Sequence, residues 1–430
     1  MAADPLAYLS GLEQFGIKFG LDNIRSIVDA MGGPHEAFES VHVAGTNGKG
    51  SVTAMVESML RAAGVRTGRY TSPHLIELTE RFAINGQKVS DVALRTALSD
   101  VRDTVLALQH RGRLDVHPTF FEVTTATAFQ IFRREAVQVA VCEVGLGGRL
   151  DATNVLTPMV SAITSIGLDH QQYLGNSTAA IAAEKAGIIK SGIPLVVGEL
   201  DEVASLTISR VAHERLAPII RASDGVHVRA QASEGSGTQR FHLRTPTEDY
   251  GLIELSLAGA HQIGNAVVAT RIVETLAARG HHVPADAVRA GLASVRWPGR
   301  LQRVTCGEGR VALLDAAHNP SGAATLATFL AEREPCPLVF AAMTDKDAAG
   351  ILRALGPVIS AVVFTRASHP RSADPRALLE VASQIMPDVP LLVEANPRNA
   401  LDAAWRLGPA VVVAGSIFLL GDVMKEFGWS

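Results

Sequence analysis

The chain has 430 residues, 47% apolar and 19% charged, with a formal net charge of −4. That length favours two domains over one, and the apolar share is ample for large cores. The weak negative charge argues against a basic nucleic-acid surface, and three scattered cysteines (Cys142, Cys306, Cys336) without C-x-x-C spacing point to a reducing compartment with no disulfide framework.

In chain order, residues 6–31 read as helical, broken at 16–21. The first N-terminal residues lack the charged-then-apolar pattern of a signal peptide. Next comes an apolar run ending in Gly45-Thr46-Asn47-Gly48-Lys49-Gly50-Ser51, followed by a helix-like pattern. Strand, glycine turn, lysine, hydroxyl and helix is the order that a triphosphate cradle needs. Glycines let backbone N–H groups turn toward phosphate oxygens, and a helix N-terminus adds partial positive charge. The spacing differs from G-x-x-x-x-G-K-[ST], because Gly50 separates Lys49 from Ser51. Lys49 is expected in a surface loop, and Ser51 is placed to face the nucleotide's magnesium.

A strand over 66–70 ends at Thr71-Ser72-Pro73-His74, and Asn85-Gly86 signals a hairpin. Amphipathic helices are expected over 91–109 and from Thr119 to about 134. The nearly all-apolar run 137–142 suits a central parallel strand and ends at Glu143. Another strand over 159–166 leads toward Asp169-His170; a helix from about 179 carries Lys185, and 194–197 is a further strand. Residues 225–257, with 233–237 between short alternating segments, read as an antiparallel excursion. Helices follow at 261–279 and 284–294. Trp297-Pro298-Gly299-Arg300 punctuates the chain, which sets a domain boundary at 296/297. Beyond it, strands at 311–314, 338–342, 361–365, 391–394 and 411–414 alternate with helices, a second α/β unit with a largely parallel sheet. The apolar stretch at 410–420 is too short to span a bilayer, so a soluble cytoplasmic protein without membrane or nucleic-acid partners is expected.

Ligands of open α/β sheets sit beyond the carboxyl ends of the strands. Lys49, Ser51, Thr71, Glu143, His170, Asp315 and Ser416 all fall there. Glu143, His170 and Thr71 with an ATP tail would suit Mg²⁺, although a lone histidine at a strand end is as readily structural. Asp315-Ala316-Ala317-His318-Asn319-Pro320 reads either as an Asx turn before a helix or as an aspartate gripping ribose with His318 near the nucleotide and Arg300 reaching phosphate.

These motifs together resemble the folylpolyglutamate synthase/dihydrofolate synthase family within the Mur ligase superfamily. The matching stretches are 42–51, 71–75, Glu143 through Asn154, Asp169-His170, Glu184 through Ile188, 298–300 and 315–320; Ala316 stands where many members have glycine. The resemblance implies a P-loop-type Mur ligase ATPase domain with a mostly parallel sheet, then a Rossmann-like C-terminal α/β domain. It implies ATP-dependent amide bond formation: a pteroate or folate carboxylate is phosphorylated, and L-glutamate attacks the acyl phosphate. Dihydropteroate and tetrahydrofolate polyglutamates would both be acceptors, with a folylpolyglutamate synthase acting on folates alone as the alternative and a non-catalytic nucleotide-binding protein as the competing class. Carried over by position, Gly48, Lys49, Gly50 and Ser51 hold the phosphates within an ATP-binding stretch that begins Gly45-Thr46-Asn47, Asn265 meets the adenine, Arg300 a phosphate and Asp315 the ribose, with His318 also on the nucleotide. Two Mg²⁺ ions would be held by Ser51, Thr71, Glu143, His170 and a carbamate on Lys185, with Lys49, Lys185, Glu143 and His170 catalytic. The pterin side would draw on Ile17, Lys18, Phe19, Thr119, Phe120, Phe121, Glu122, Leu150, Asp151 and Ala152. A cell-wall ligase of the same superfamily is disfavoured, because only 44 residues precede Gly45. A monomer is expected.

Overall fold

The apolar runs become the inner strands of two parallel sheets. The structure, a computed structural model, describes residues 4–16, 18–114, 116–231 and 237–429. Ile17 and residues 232–236 of the expected antiparallel excursion therefore lie outside the described residues. The first sheet comprises β1 (Glu39–Ala44), β2 (Thr67–Tyr70), β3 (Phe82–Ile84), β4 (Gln87–Lys88), β5 (Val139–Glu143), β6 (Val160–Ile163), β7 (Leu195–Val197) and β8 (Ile219–Arg221). Its order is β4-β3-β2-β5-β1-β6-β7-β8. Pairing from β2 to β8 is parallel, and β3 and β4 form an antiparallel hairpin around Asn85-Gly86.

Strand β1 lies between β5 and β6, and all of it but Glu39 is buried. The chain leaving β1 runs to β2 on one side, and the chain leaving β6 runs to β7 on the other. A crevice therefore opens beyond the carboxyl ends of β1 and β6. A three-stranded antiparallel sheet follows, from β9 (His227–Ala230), β10 (Gln239–Arg244) and β11 (Asp249–Leu255). The last sheet holds β12 (Gln302–Thr305), β13 (Val311–Leu314), β14 (Cys336–Phe340), β15 (Ile359–Phe364), β16 (Leu391–Val393) and β17 (Ala410–Ala414), in the order β12-β13-β17-β14-β15-β16. Only β12 pairs antiparallel there. Among the described residues, no helix is long and apolar enough to cross a membrane.

The helix Lys49–Ala62 is buried from Gly50 to Leu60, enclosed by the sheet on one side and the helices His261–Ala277 and Ala285–Ser294 on the other. This explains its mostly small and apolar composition, since no face is left for water; the one buried carboxylate, Glu57, is met by the Thr67 hydroxyl and Arg69. The opposite face of the sheet is covered by helices Asp22–Ala30, Asp91–His110 and Phe120–Arg134. A capping box starts the last of these: the Thr119 hydroxyl accepts from the Glu122 N–H at 3.1 Å, and Glu122 accepts from the Thr119 N–H at 2.7 Å.

Several elements departed from the sequence reading. The strand expected over 159–166 ends at Ile163, because Thr164 and Ser165 leave the ladder to bond the glycine turn. The short edge strands β8 and β12 were not anticipated; three or four residues cannot establish a period of two. Lys49 is the first residue of its helix, half-buried, not part of a surface loop.

Gly291 sets how closely the helix Ala285–Ser294 approaches Lys49–Ala62, since a Cβ there would lie 2.5 Å from the Met59 Cα. Backbone cannot yield as a side chain can. Gly291→Ala is expected to cost about 1–3 kcal/mol, read as a lower midpoint in urea unfolding; an unchanged midpoint would contradict this packing.

Candidate active site

The glycine turn after β1 owes its shape to contacts that no other residue would allow. Gly45 has φ 154°, and a Cβ there would lie 2.0 Å from the Thr164 Oγ1. Gly48 has φ 84° and caps the helix Lys49–Ala62 without a side-chain acceptor. The first N–H groups of that helix are thus left for an anion. Gly50 faces Trp297, whose ring would lie 2.6 Å from an added Cβ. The turn is fastened to the segment after β6. Thr46 N–H donates to Ser165 O at 2.7 Å, and the Thr164 and Ser165 hydroxyls donate to Asn47 O at 2.6 and 3.0 Å. Thr46 Oγ1 also donates to Gly167 O at 3.1 Å.

Two lysines meet beneath this turn. Lys49 Nζ donates to the carbonyls of Gly45 and Thr46 at 3.1 Å, and Lys185 Nζ donates to Gly45 O at 2.7 Å. Burial, reinforced by the charge of Lys49, pulls the Lys185 amine down to about 7. Glu143, at the end of β5, is buried; burial raises its carboxyl, while Lys49, the Ser72 N–H and Arg300 act the other way. Ser72 N–H reaches its Oε2 at 3.4 Å. Thr71 and Ser51 are buried beside the same strand ends.

His170 adopts a left-handed conformation (φ 50°, ψ 37°) as the cap of the short helix Gln171–Leu174. Burial lowers its imidazole to about 4, with Lys346, His318 and Lys49 adding to the effect and Asp169 opposing it. The ring is therefore neutral at pH 7. Its Nδ1 is buried without a hydrogen-bond partner, while Nε2 lies 3.1 Å from the Lys346 amine.

The strongest tie across the crevice was not anticipated. Asp169 of the first unit meets Lys346 at 2.5 Å, Asn319 Nδ2 at 3.1 Å and His318 Nε2 at 3.6 Å, all from the second. Lys346 and Asp169 are 8% and 9% exposed, so water screens this pair little. Burial alone would raise the Asp169 carboxyl, but His318, Lys346 and His170 hold it well below the usual carboxylate range. Asn47 of the glycine turn and Asn319 exchange amide hydrogen bonds at 3.0 and 3.4 Å. Lys346 follows β14 within the loop 341–347, so the carboxyl-end rule applied to that strand would have flagged it.

The remaining sequence-derived residues fall into three groups. Asn265 packs on Gly48, where an added Cβ would lie 2.6 Å from its Oδ1, and its amide donates to Gln262 at 2.9 Å. Arg300 is held by Gly299 O, and Asp315 accepts from Leu301 and Ala317 N–H at 2.9 Å each, which binds the linker to the end of β13. His318 Nδ1 is 2.8 Å from Ala316 O. On the other side of Glu143, Phe121 lies over Gly145 and stacks on Tyr70 at 6.0 Å, and Phe120 sits under the Arg81 guanidinium. Lys18 and Phe19 are exposed, Leu150 is half-buried, and Ala152 is buried. Asp151 is engaged by its own loop: it accepts from Leu146 N–H at 2.8 Å, Thr153 N–H at 3.0 Å and the Thr153 hydroxyl at 2.5 Å. Thr119 and Glu122 likewise serve the capping box described above.

The chain matches the family model for the Mur ligase middle domain over residues 43–273 and that for the Mur ligase glutamate ligase domain over 299–417. It is 33% identical to a dihydrofolate synthase/folylpolyglutamate synthase of Bacillus subtilis, covering 98% of both chains. It is 36% identical to one of Mycobacterium tuberculosis, covering 95% of this chain and 90% of the relative. Among solved structures, the Mycobacterium tuberculosis folylpolyglutamate synthase complexed with ADP and AMPPCP superposes with a TM-score of 0.91 at 35% identity, covering 100% of this chain and 99% of the other. An Escherichia coli structure in complex with DHPP and ADP gives 0.84 at 31%, covering 99% and 98%.

Two predictions follow from these electrostatics. A lysine whose folded pKa is lowered to about 7 makes stability rise with pH between about 7 and its unfolded value near 10.4, because there the unfolded chain binds the extra proton. Lys185→Met removes that cost, and Gly45 O keeps the Lys49 donor. The variant should melt above the wild type at pH 6, with the gap closing toward pH 10; a gap that widens with pH contradicts the assignment. Second, Lys346→Ala removes the buried cation joining the two units. Its radius of gyration in X-ray scattering should exceed that of the wild type, and an identical profile would show that the ion pair does not hold the crevice closed.

Proposed function

We propose, from the premise that this chain belongs to the folylpolyglutamate synthase/dihydrofolate synthase family of Mur ligases, that it joins L-glutamate both to dihydropteroate and to reduced folates. It is an ATP-dependent glutamate ligase acting on a folate-type acceptor. The observation that carries the reading is the convergence of Lys49, Lys185 and an uncapped helix N-terminus on one glycine turn, with Glu143 and His170 within the field of Lys49.

The chemistry divides into two displacements. An oxygen of the acceptor carboxylate attacks the γ-phosphorus, and ADP leaves. The amine of glutamate then attacks the acyl carbon, phosphate leaves, and the nitrogen loses a proton. No protein nucleophile is needed; positioning and charge neutralisation suffice. In this reading the N–H groups of Gly48 to Gly50, uncapped at the helix start, and the Lys49 amine hold the β- and γ-phosphates. Asn265, against Gly48, marks the base side, while Arg300, Asp315 and His318 approach the nucleotide from the second unit. ATP is thereby shared across the crevice that Asp169 and Lys346 span, with the division between domains at 296/297.

Lys185 is suited to carry a carbamate. At neutral pH a large share of its amines is unprotonated, and the lone pair can add to carbon dioxide, forming an N–C bond and releasing one proton. The product is an oxygen ligand of the hard kind that magnesium prefers. The donor set fits that ion: Glu143 is a buried carboxyl group, and His170 has an unengaged Nδ1. Ser51, Thr71, Glu143, His170 and the Lys185 carbamate would hold two Mg²⁺ ions, which would supply neutralisation of phosphate charge. The wall around Phe121, with Phe120, Thr119, Glu122, Leu150, Asp151 and Ala152, is assigned to the pterin. Asp151 shapes that wall as much as it offers an acceptor, given its three local donors. A monomer in the cytoplasm completes the proposal.

The test is a product assay with ATP, Mg²⁺ and glutamate, dihydropteroate in one tube and tetrahydrofolate in another. Product in both supports the dual activity, product only from tetrahydrofolate assigns a folylpolyglutamate synthase, and product in neither overturns the ligase reading. Lys49→Ala should reduce turnover at least 1000-fold, as expected for loss of a fixed charge at a transferring phosphoryl group, with a circular dichroism spectrum like that of the wild type. Turnover near wild type would remove the phosphate cradle from the mechanism.

A further inference from the structure

A histidine inside a central, apolar strand calls for a physical reason, because both ring nitrogens lose their water there. His42 stands in β1 just before the glycine turn and is fully buried. Its strand neighbours in register are Cys142 of β5 and Ser161 of β6. His42 Nε2 lies 2.8 Å from the Thr153 hydroxyl, 111 residues away in the chain. That hydroxyl donates to Asp151 Oδ1 at 2.5 Å, and the Thr153 N–H donates to the same oxygen at 3.0 Å. Asp151 Oδ2 accepts from Leu146 N–H at 2.8 Å. One line of hydrogen bonds thus runs from the strand that feeds the phosphate turn to the loop after Glu143.

The direction of this line follows from counting protons. A hydroxyl has one proton to give. Thr153 gives it to Asp151, so it accepts from His42, whose proton is then on Nε2. Nδ1 becomes a bare acceptor, and it is the ring atom that is buried without a partner. In the reverse order a protonated Asp151 would give to Thr153, Thr153 to Nε2, and Nδ1 would carry a buried N–H with nothing to receive it. Buried N–H groups without an acceptor are rarer than acceptors without a donor. Burial, with the charge of Lys190 added to it, lowers the His42 imidazole to about 3, so the ring is neutral at pH 7 and donates once. Burial raises the Asp151 carboxyl, and its Thr153 and Leu146 donors oppose that rise.

We infer that His42 is a positioning residue for the pterin: through Thr153 it holds the Asp151 carboxylate in one orientation, as a group that only accepts hydrogen bonds. The inference rests on the assignment of Asp151 to the pterin wall and deepens it. A carboxylate has roughly four lone-pair directions. The three local donors leave one, on Oδ2, for an N–H of the ligand. A site of that kind takes a ring edge that carries donors and disfavours one that presents a carbonyl.

The experiment uses the full chain with ATP, Mg²⁺, glutamate and an acceptor that the wild type turns over, dihydropteroate or tetrahydrofolate. His42→Leu keeps the bulk and removes both ring nitrogens. It is expected to raise the KM for the acceptor about tenfold, the size of one weakened hydrogen bond to a charged group, while kcat and the KM for ATP change less than about threefold. His42→Gln, which can still donate from the place of Nε2, should recover most of the loss. Thr153→Val should match His42→Leu, and the double variant should be no worse than Thr153→Val alone, because both cut the same line. In ¹⁵N spectra of the imidazoles, with His42 assigned by its loss in His42→Leu, the proton should sit on Nε2. A proton on Nδ1, or a fall in kcat and a rise in both KM values together without rescue by glutamine, would overturn the inference. Asp151→Asn separates the two levels. If it leaves the acceptor KM unchanged, the pterin assignment of Asp151 fails and the role of His42 with it. If it raises that KM while His42→Leu does not, the assignment stands and the role of His42 is overturned. A wild type that uses neither acceptor would overturn the ligase reading and everything that rests on it.

Discussion

The crevice depends on how closely the backbone at Gly45 approaches Thr164. A Cβ at Gly45 has no space, and the hydroxyls of Thr164 and Ser165 take up the carbonyl of Asn47. Two polypeptide segments from adjacent strands, β1 and β6, are thus locked edge to edge. Fixing the turn also fixes the Gly45 carbonyl, the shared acceptor of Lys49 and Lys185. Two ammonium groups directed at one carbonyl repel each other, and a fold tolerates that only where the backbone cannot retreat. Burial, with the charge of Lys49 added to it, lowers the Lys185 amine to about 7.

The second constraint is the buried carboxylate of Asp169. It draws Lys346, His318 and Asn319 from the second unit onto the first. Breaking one partner of a buried ion pair is costly, because the other charge is left without solvent. The crevice thus has a specific closed geometry, not merely two surfaces that happen to touch. Because Asn319 also exchanges hydrogen bonds with Asn47, the position of the second unit is transmitted directly to the glycine turn. The geometry of that turn is therefore coupled to the placement of both units.

Charge and shape are distributed unevenly between the two sides of the crevice. Lysines and the open helix terminus occupy the phosphate side, with Glu143 at the border. The opposite wall is built from Phe121, Tyr70 and the glycine loop after Glu143. A flat, aromatic acceptor ending in a carboxylate matches that polarity, with its anionic end toward the lysines.

Most of the fold was legible in the sequence because its signals are local. The apolar run at 137–142, the Asn85-Gly86 turn, the helix start at Thr119 and the glycines around Lys49 each act through neighbours within a few residues, so composition and spacing report them. The carboxyl-end rule likewise grouped Lys49, Glu143 and His170, since parallel strands deliver their ends to one edge. Tertiary structure decided what depends on separation in space. Asp169 and Lys346 are 177 residues apart, and nothing in either local sequence says that they form an ion pair. The Lys185 amine is lowered by burial and by a lysine on another helix, neither of which a sequence displays. That the Asp151 carboxylate accepts from Leu146 across its own loop is likewise set by the folded backbone. Residue type and order fix which chemistry a chain can carry; distance and desolvation, which arise only when the chain closes on itself, fix which of those groups meet and in what charge state.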